Sequence, residues 1–309
     1  MIIHITGGYK MKKGKRIFAL LLSAIMISTL TITGCEKKAP VVKPIAKVNS
    51  KEAYIGLKNT QKWLFKKEGD TWKFDGVYAT RNGKEEKVFY GTSGKLNEED
   101  KLVMSGEYFN VQGAVKEEDI GNYLDGKVTD IKLEENDGKK SLLLTGKGFT
   151  SILTATKDDH YISREITITV PKNLAIYESE VSFTLRSNQS AFYEYGYVLT
   201  HANDEPQTSV PYAFPAITSK LTAQDDNKKQ FNFTEVMDYY NTSECFKTAR
   251  RNENLNGFVE LGIISTDAQL MADTEYTLSE RISVRDGSEE SYYDMIGDAR
   301  AEYSKNYDV

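Results

Sequence analysis

Hydrophobic and polar residues alternate along much of the chain, which predicts a protein built mainly from β-strands. The alternation is clearest from Ile162 to Val170 and from Tyr276 to Val284, and a two-residue period is typical of half-buried strands. Asn82-Gly83 and Asp137-Gly138 lie between other apolar runs and are typical of tight hairpin turns. Short strands that recur with turn signals favour a sandwich or a barrel over alternating α/β units.

The pattern becomes helical near the C-terminus. Ser288 can cap a helix, and Glu289 and Glu290 follow in the first turn, where the helix dipole favours carboxylates. Apolar residues then recur at helical spacing on one face: Tyr292, Ile296, Ala299 and Tyr303. These features predict an amphipathic helix from about residue 289 to residue 304.

The N-terminal region has the three parts of an export signal. A cationic head at residues 12–16 precedes an apolar run from Ile17 to Ile32, which is shorter than the roughly 20 residues of a membrane-spanning helix. The run ends in Ile32-Thr33-Gly34-Cys35, which resembles the lipobox of bacterial lipoproteins. The resemblance implies cleavage before Cys35, a diacylglycerol on its sulfur, and anchoring at the extracytoplasmic face of the cell membrane. An ordinary cleaved signal, or an uncleaved anchor with an incidental cysteine, is the alternative.

These signals predict four segments. Residues 1–34 form the signal peptide, whose true start is hypothesised to be Met11, directly before the cationic head. Residues 35–51 form a lipidated tether, because they contain lysine and proline without a stable period. Residues 52–287 form the β-sandwich domain, and residues 288–309 form the C-terminal helical segment.

Net charge excludes one class of partner. Five of the 40 Lys and Arg residues precede Cys35, so the mature chain has 35 of them against 45 Asp and Glu residues, a net charge of −10. An acidic surface repels phosphate backbones, which argues against nucleic-acid binding. It also disfavours electrostatic adhesion to anionic lipid, which leaves the acyl chains to hold the protein at the membrane.

Few residues are available for metal or thiol chemistry. If lipid occupies Cys35, Cys245 has no partner for an internal disulfide, and an idle thiol is favoured over a nucleophile. His160 and His201 are the only histidines after the predicted cleavage site, so a site with several histidine ligands is disfavoured. No metal and no cofactor are predicted.

The order of elements resembles a known architecture. A long series of strands closes with residues 276–284, then Arg285-Asp286-Gly287, then a helix. This order resembles the galactose-mutarotase-like β-supersandwich of aldose epimerases, also an accessory domain of bacterial glycoside hydrolases and polysaccharide lyases. The resemblance covers roughly residues 53–303 and implies a large antiparallel β-sandwich with a C-terminal helix. An immunoglobulin-like pair of sandwiches fits the same pattern.

The resemblance bears on catalysis as well. Aldose epimerases use two histidines and a carboxylate to shuttle protons on a sugar ring. Thr200-His201-Ala202-Asn203 resembles one histidine segment of that family, whereas His160 lies in a predicted turn and does not match the second. The sequence therefore favours a protein without catalysis of its own.

One stretch has the composition of a carbohydrate site. Aromatic rings stack on the apolar C–H faces of sugars, while carboxylate, amide and imidazole groups bind the hydroxyls. The predicted ligand-binding residues are Tyr193, Tyr195 and Tyr197 on one strand face and His201, Asn203, Asp204 and Glu205 in the loop that follows. The alternative is a tyrosine-rich sheet face covered by a neighbouring loop.

Two further candidates have ordinary alternatives. Trp63 and Trp72 could form a binding platform across their hairpin, but core positions are favoured. Glu194 and Glu260 lie on predicted strands and could form a carboxylate pair, at a separation that sequence does not give.

These observations lead to one main functional hypothesis. It is a membrane-anchored extracytoplasmic lipoprotein with a non-catalytic, carbohydrate-binding β-sandwich. One alternative is an envelope scaffold that binds a protein partner through its sandwich or its helix. Another is a truncated accessory domain of a glycoside hydrolase or an epimerase.

Overall fold

The computed structural model places most of the chain after the predicted tether in β-strands. It describes residues 41–91, 94–96, 102–104, 108–115, 118–119, 122–172, 176–183, 185–187, 191–198, 206–207, 216–223, 230–238, 240–246, 251–255, 258–288, 290–291, 293–295, 297–298 and 301. The predicted signal peptide, with Met11, and the predicted lipidation site, Cys35, lie outside these residues.

Within the described residues, 23 strands follow one another along the chain. The first twelve are β1 (Pro44–Val48), β2 (Glu52–Leu57), β3 (Gln61–Glu68), β4 (Thr71–Arg81), β5 (Lys84–Phe89), β6 (Gly94–Leu96), β7 (Leu102–Met104), β8 (Asn110–Val115), β9 (Glu118–Asp119), β10 (Val128–Asn136), β11 (Lys139–Gly146) and β12 (Phe149–Thr156). The other eleven are β13 (Ile162–Thr169), β14 (Ile176–Ser182), β15 (Leu185–Ser187), β16 (Ala191–Val198), β17 (Pro206–Gln207), β18 (Ala216–Ala223), β19 (Gln230–Met237), β20 (Arg251–Leu255), β21 (Phe258–Gly262), β22 (Ile264–Leu270) and β23 (Glu275–Asp286). A 3-10 turn covers Glu244–Phe246.

One large antiparallel sheet dominates the described part of the chain. It has the order β1-β2-β3-β4-β10-β11-β12-β13-β23-β19-β18-β16-β17, and β5 pairs with β4. Smaller sheets have the orders β22-β14-β8-β9, β15-β21-β20 and β6-β7. The predicted class, mostly β with a large antiparallel sheet, is confirmed. The strands predicted at residues 162–170 and 276–284 correspond to β13 and β23, which pair with each other.

The large sheet turns back so that its first strands pack against its middle strands. The side-chain amide of Gln61 in β3 donates to the carbonyl of Ile282 in β23 at 3.0 Å. The ring of Trp63 in β3 lies 5.5 Å from the guanidinium carbon of Arg164 in β13. These residues are buried, so the hydrophobic core lies between two parts of one sheet, in the manner of a sandwich.

Aromatic contacts connect the large sheet to the smaller elements. The ring of Tyr108 lies edge-on to Phe74 in β4, with centroids 5.9 Å apart. Phe109 makes an edge-to-face contact with Phe149 in β12 at 4.7 Å and lies 5.5 Å from Phe183, directly after β14. Such pairs contribute about 0.5–1.5 kcal/mol each beyond the burial of their area. They join the separate sheets into one core.

The folded domain begins earlier than the predicted boundary at residue 52. Strand β1, Pro44–Val48, lies within the segment predicted as a tether, and it pairs with β2 along its whole length. Val42 is buried, and Ala46 and Val48 pack against the core. Pro44 is the first residue of the strand, where its missing N–H does not weaken a central ladder. Because the segment contains lysines and prolines, its sequence did not predict this short strand.

The described residues near the C-terminus are helical, as predicted. Residues 290–291, 293–295, 297–298 and 301 have helical conformation. The hydroxyl of Ser288 accepts a hydrogen bond from the backbone N–H of Ser291 at 3.1 Å, which confirms Ser288 as the N-cap. Met295 is buried, and Arg285 of β23 donates to Asp298 at 2.6 Å. The predicted apolar stripe, Tyr292, Ile296, Ala299 and Tyr303, lies outside the described residues.

In the described part of the chain, no helix combines the length and the apolar character that spanning a lipid bilayer requires.

Candidate functional site

The three tyrosines of the predicted site lie on β16, which pairs with β18. Tyr195 and Tyr197 are opposite Lys220 and Thr218, two matched positions of the ladder. A register shift separates Tyr193 from Tyr195, and Tyr193 is opposite Leu221. The two-residue period on which the shared face was predicted is therefore interrupted by a bulge. His201, Asn203, Asp204 and Glu205 lie outside the described residues.

The two tryptophans do not form a surface platform. Trp63 is fully buried and Trp72 has an exposed fraction of 7%. Trp63 contacts Phe74 with ring centroids 5.5 Å apart. Both residues belong to the core, as the favoured alternative predicted.

A surface with the chemistry of a carbohydrate site lies on the outer side of β2–β5. We name it the tyrosine–lysine face and define it by Tyr54, Lys62, Lys66, Asp75, Tyr78, Glu85, Lys87 and Tyr90. Strand pairing assembles it, because Lys62 lies opposite Tyr78 and Tyr78 lies opposite Lys87. All eight residues are at least partly exposed.

Lysines and tyrosines alternate across this face. The ammonium nitrogen of Lys62 lies 5.8 Å from the ring centre of Tyr54 and 5.2 Å from that of Tyr78. The ammonium nitrogen of Lys87 lies 5.4 Å from the ring of Tyr78 and 4.8 Å from that of Tyr90. Cation–π contacts at exposed sites contribute about 0.5–1 kcal/mol each. They restrict the positions of two otherwise flexible lysine side chains.

Asp75 holds the face together from one side. Its carboxylate accepts a hydrogen bond from the Tyr78 hydroxyl at 2.5 Å and pairs with Lys66 at 2.8 Å and Lys87 at 2.9 Å. Burial by itself raises the pKa of Asp75, but the hydrogen bonds from Lys66, Tyr78 and Lys87 outweigh burial and leave that pKa below 3.8. Burial and the bond to Asp75 raise the pKa of Tyr78. Asp75 is therefore ionised and Tyr78 neutral at pH 7.

This arrangement combines the groups that bind sugars. Tyrosine rings offer apolar surfaces, ammonium groups donate hydrogen bonds, and carboxylates accept them. Lys62 also forms an ion pair with Glu85, so each of the two lysines beside the Tyr78 ring has a carboxylate partner. The face crosses four strands, about 14 Å at a spacing of ~4.8 Å, which suits an oligosaccharide.

A second polar cluster is buried in the core. Arg164 in β13 lies opposite Glu280 in β23; its Nε donates to the Glu280 carboxylate and its Nη2 contacts the same oxygen. Nη2 also donates to the carbonyl of Phe183 at 2.6 Å. The side chains of Arg164 and Glu280 have exposed fractions of 1% and 0%. Because both side chains have lost their hydration, the stability of the pair depends on these close contacts.

A second carboxyl group completes the buried cluster. Glu235 in β19 lies opposite Ile282, two residues from Glu280 on β23. Burial raises the pKa of Glu280 well above 4.5; Arg164 opposes this shift, while the charge of Glu235 and its hydrogen bond to Glu280 add to it. Glu280 therefore holds its proton to a higher pH than an ordinary carboxyl group does. Because the cluster is buried, it supports the fold and does not contact a dissolved ligand.

Sequence reasoning missed both clusters. The structure brings together the carboxyl groups of Glu235 and Glu280, whereas the side chains of the proposed pair, Glu194 and Glu260, lie outside what it describes. A signal for the buried cluster was present, because Arg164 lies between Ile162 and Ile166 at an inward position of an alternating strand. Glu280 interrupts the apolar positions Leu278 and Ile282 in the same way.

The remaining titratable candidates are not arranged for chemistry. Burial raises the pKa of the Cys245 thiol to about 11, which favours the idle thiol over the nucleophile. Burial and the charge of Arg285 lower the pKa of His160, so this side chain is neutral at pH 7. In the described part of the chain, no group of three or more His, Cys, Asp or Glu residues could hold a metal ion.

Comparison with known proteins gives structural similarities only. No family model matches the sequence, and no curated protein matches it significantly. The galactosidase domain of an α-galactosidase–sucrose kinase is 10% identical with a TM-score of 0.45, over 79% of this chain and 42% of that chain. An α-galactosidase from Geobacillus stearothermophilus is 9% identical with a TM-score of 0.44, over 81% of this chain and 42% of that chain. A Klebsiella pneumoniae protein classed as an aldose 1-epimerase is 9% identical with a TM-score of 0.42, over 86% and 87% of the two chains.

The chain thus spans less than half the length of these two α-galactosidase structures. The matches include the two groups that the sequence resemblance named, glycoside hydrolases and aldose epimerases. At identities near 10% and TM-scores below 0.5, these matches do not indicate which ligand or activity this chain has.

Proposed function

We propose that this protein is an envelope lipoprotein, anchored through Cys35 at the extracytoplasmic face of the cell membrane, that binds carbohydrate without catalysis. The observation behind the binding proposal is the tyrosine–lysine face, where three tyrosine rings lie beside fixed donors and acceptors. The anchor proposal is supported by the cationic head, the apolar run and the Ile32–Cys35 segment of the sequence. Burial of the core carboxyl groups of Glu235 and Glu280, away from solvent, supports the proposal of binding without catalysis.

A glycan array with the full-length protein in detergent tests the binding proposal. We expect saturable binding that becomes at least about tenfold weaker in Tyr78→Ala, because the variant loses the central aromatic ring on which a sugar would stack. Tyr293→Ala is the matched control, since this tyrosine is 64% exposed on the C-terminal helix, and it should bind as the unmodified protein does. Tyr195→Ala tests the predicted β16 site in the same assay. A blank array, or equal losses in Tyr78→Ala and Tyr293→Ala, refutes the proposal.

Metabolic labelling tests the anchor separately. Cells that express the full chain are expected to incorporate labelled palmitate into it, and Cys35→Ser should abolish the label and release the protein from the membrane fraction. Cys245→Ser is the control, because Cys245 lies in the folded domain and should leave labelling unchanged. Persistence of the label in Cys35→Ser, or no label in the unmodified chain, contradicts the anchor.

A further inference from the structure

The first five strands have a charge opposite to that of the rest of the chain. Residues 41–91, which contain β1–β5, have eleven Lys and Arg residues against six Asp and Glu residues, a net charge of +5. The whole chain has a net charge of −5. Charge asymmetry of this kind concentrates positive potential over one part of the surface.

Several of these lysines project from the face already described. Lys62, Lys66 and Lys87 belong to the tyrosine–lysine face, and Lys47 of β1 is paired with Tyr54 of β2 in the strand register. The side chain of Lys66 is 53% exposed, whereas those of Lys62 and Lys87 are 19% and 22% exposed. Each ammonium group has three N–H donors, so Lys66 and Lys62 can donate to a ligand as well as to their carboxylate partners, Asp75 and Glu85.

Two acidic residues on the face form ion pairs with its lysines. Asp75 is bonded to Lys66, Lys87 and Tyr78, and its bonds are directed within the face. Glu85 is paired with Lys62. Both carboxylates therefore position ammonium groups, and the tyrosine rings hold the same groups from the other side. Ammonium groups fixed in this way need little further ordering when an anion binds.

We infer that the carbohydrate bound by the tyrosine–lysine face is anionic, a saccharide chain that carries carboxylate or phosphate groups. This inference rests on the proposed function and adds the chemical class of the ligand. Lys62, Lys66 and Lys87 bind the anionic groups, and Tyr54, Tyr78 and Tyr90 contact the sugar rings between them. The negative charge of the rest of the chain directs such a ligand to β1–β5.

Affinity measurements with three probes of similar length test the inference. The full-length protein in detergent is titrated with trigalacturonic acid, a glycerol phosphate oligomer and neutral galactotriose, at low and at 0.5 M salt. We expect an anionic probe to bind at least about tenfold more tightly than galactotriose at low salt, and high salt to remove most of that difference. The probe that binds more tightly identifies carboxylate or phosphate as the source of the charge.

Matched charge variants complete the test. Lys62→Gln/Lys87→Gln should weaken binding of the anionic probe by about tenfold or more, while circular dichroism shows that the variant is still folded. Lys132→Gln/Lys139→Gln removes the same charge from the exposed β10–β11 hairpin and should change binding less than about twofold. Tight, salt-insensitive binding of galactotriose overturns the anionic ligand and leaves the proposed function standing. No binding of any probe, together with a blank glycan array, overturns both.

Discussion

Replacing Arg164 by methionine is expected to lower the free energy of unfolding by about 3–5 kcal/mol. The guanidinium is the cation that Glu280 contacts in the core, and it also donates to the carbonyl of Phe183. Without it, Glu280 and Glu235 stay buried beside one another with no positive charge, and the Phe183 carbonyl loses a donor. Urea denaturation followed by circular dichroism measures the change.

Two variants show whether this loss belongs to the buried pair. Arg281→Met removes a neighbouring guanidinium that is 25% exposed and paired with Asp159, and it should cost less than about 1 kcal/mol. Arg164→Met/Glu280→Gln removes one buried carboxylate as well, and it should recover about half of the stability lost in Arg164→Met. Equal losses in Arg164→Met and Arg281→Met would contradict the buried cluster.

Stability is expected to fall as the pH rises above 4.5, by up to about 1.4 kcal/mol per pH unit for the one proton involved. The pKa of Glu280 is raised in the folded state by burial and by Glu235, from an ordinary value of 4.5. The folded chain therefore keeps a proton that the unfolded chain releases. This contribution is fully present below pH 4.5 and is lost as the pH approaches the raised pKa of Glu280.

The comparison with Glu235→Gln isolates this proton from other titrating groups. In this variant Arg164 and Glu280 can pair as single charges, and the side-chain amide introduced at position 235 can donate to Glu280 without a titrating proton. The unmodified protein should lose stability relative to Glu235→Gln as the pH rises from 5 to 7, by at most about 1.4 kcal/mol per pH unit. Parallel stability curves for the two proteins would contradict a pKa of Glu280 that Glu235 raises. Asp75 has a lowered pKa, so its protonation at low pH decreases the stability of both proteins.

Local features of the fold were predictable because they depend on neighbouring residues. The alternation around Ile166 and Leu278 corresponds to strands β13 and β23. Asn82 and Gly83 adopt positive φ values of 50° and 73°, as the tight turn between β4 and β5 requires. The Ser288 hydroxyl caps the C-terminal helix. In each case the evidence lies within a few residues of the feature.

The candidate sites could not be predicted in this way because they depend on strand order. Lys62 and Lys87 meet on the two sides of Tyr78 only because β3, β4 and β5 are adjacent and in one register. Arg164 and Glu280 are 116 residues apart in sequence. The bulge between Tyr193 and Tyr195 is a further example, since the tyrosine spacing itself has an uninterrupted period of two.

The position of β23 has a consequence for biosynthesis. This strand is the last of the described strands along the chain, yet it lies in the middle of the large sheet, between β13 and β19. A nascent polypeptide emerges N-terminus first, so β13 and β19 are made before β23, the strand that pairs with both of them. Until residue 286 is available, β13 and β19 each present an open edge, which is a hazard for misassembly. Holding the chain extended until residue 286 has been made would remove that hazard.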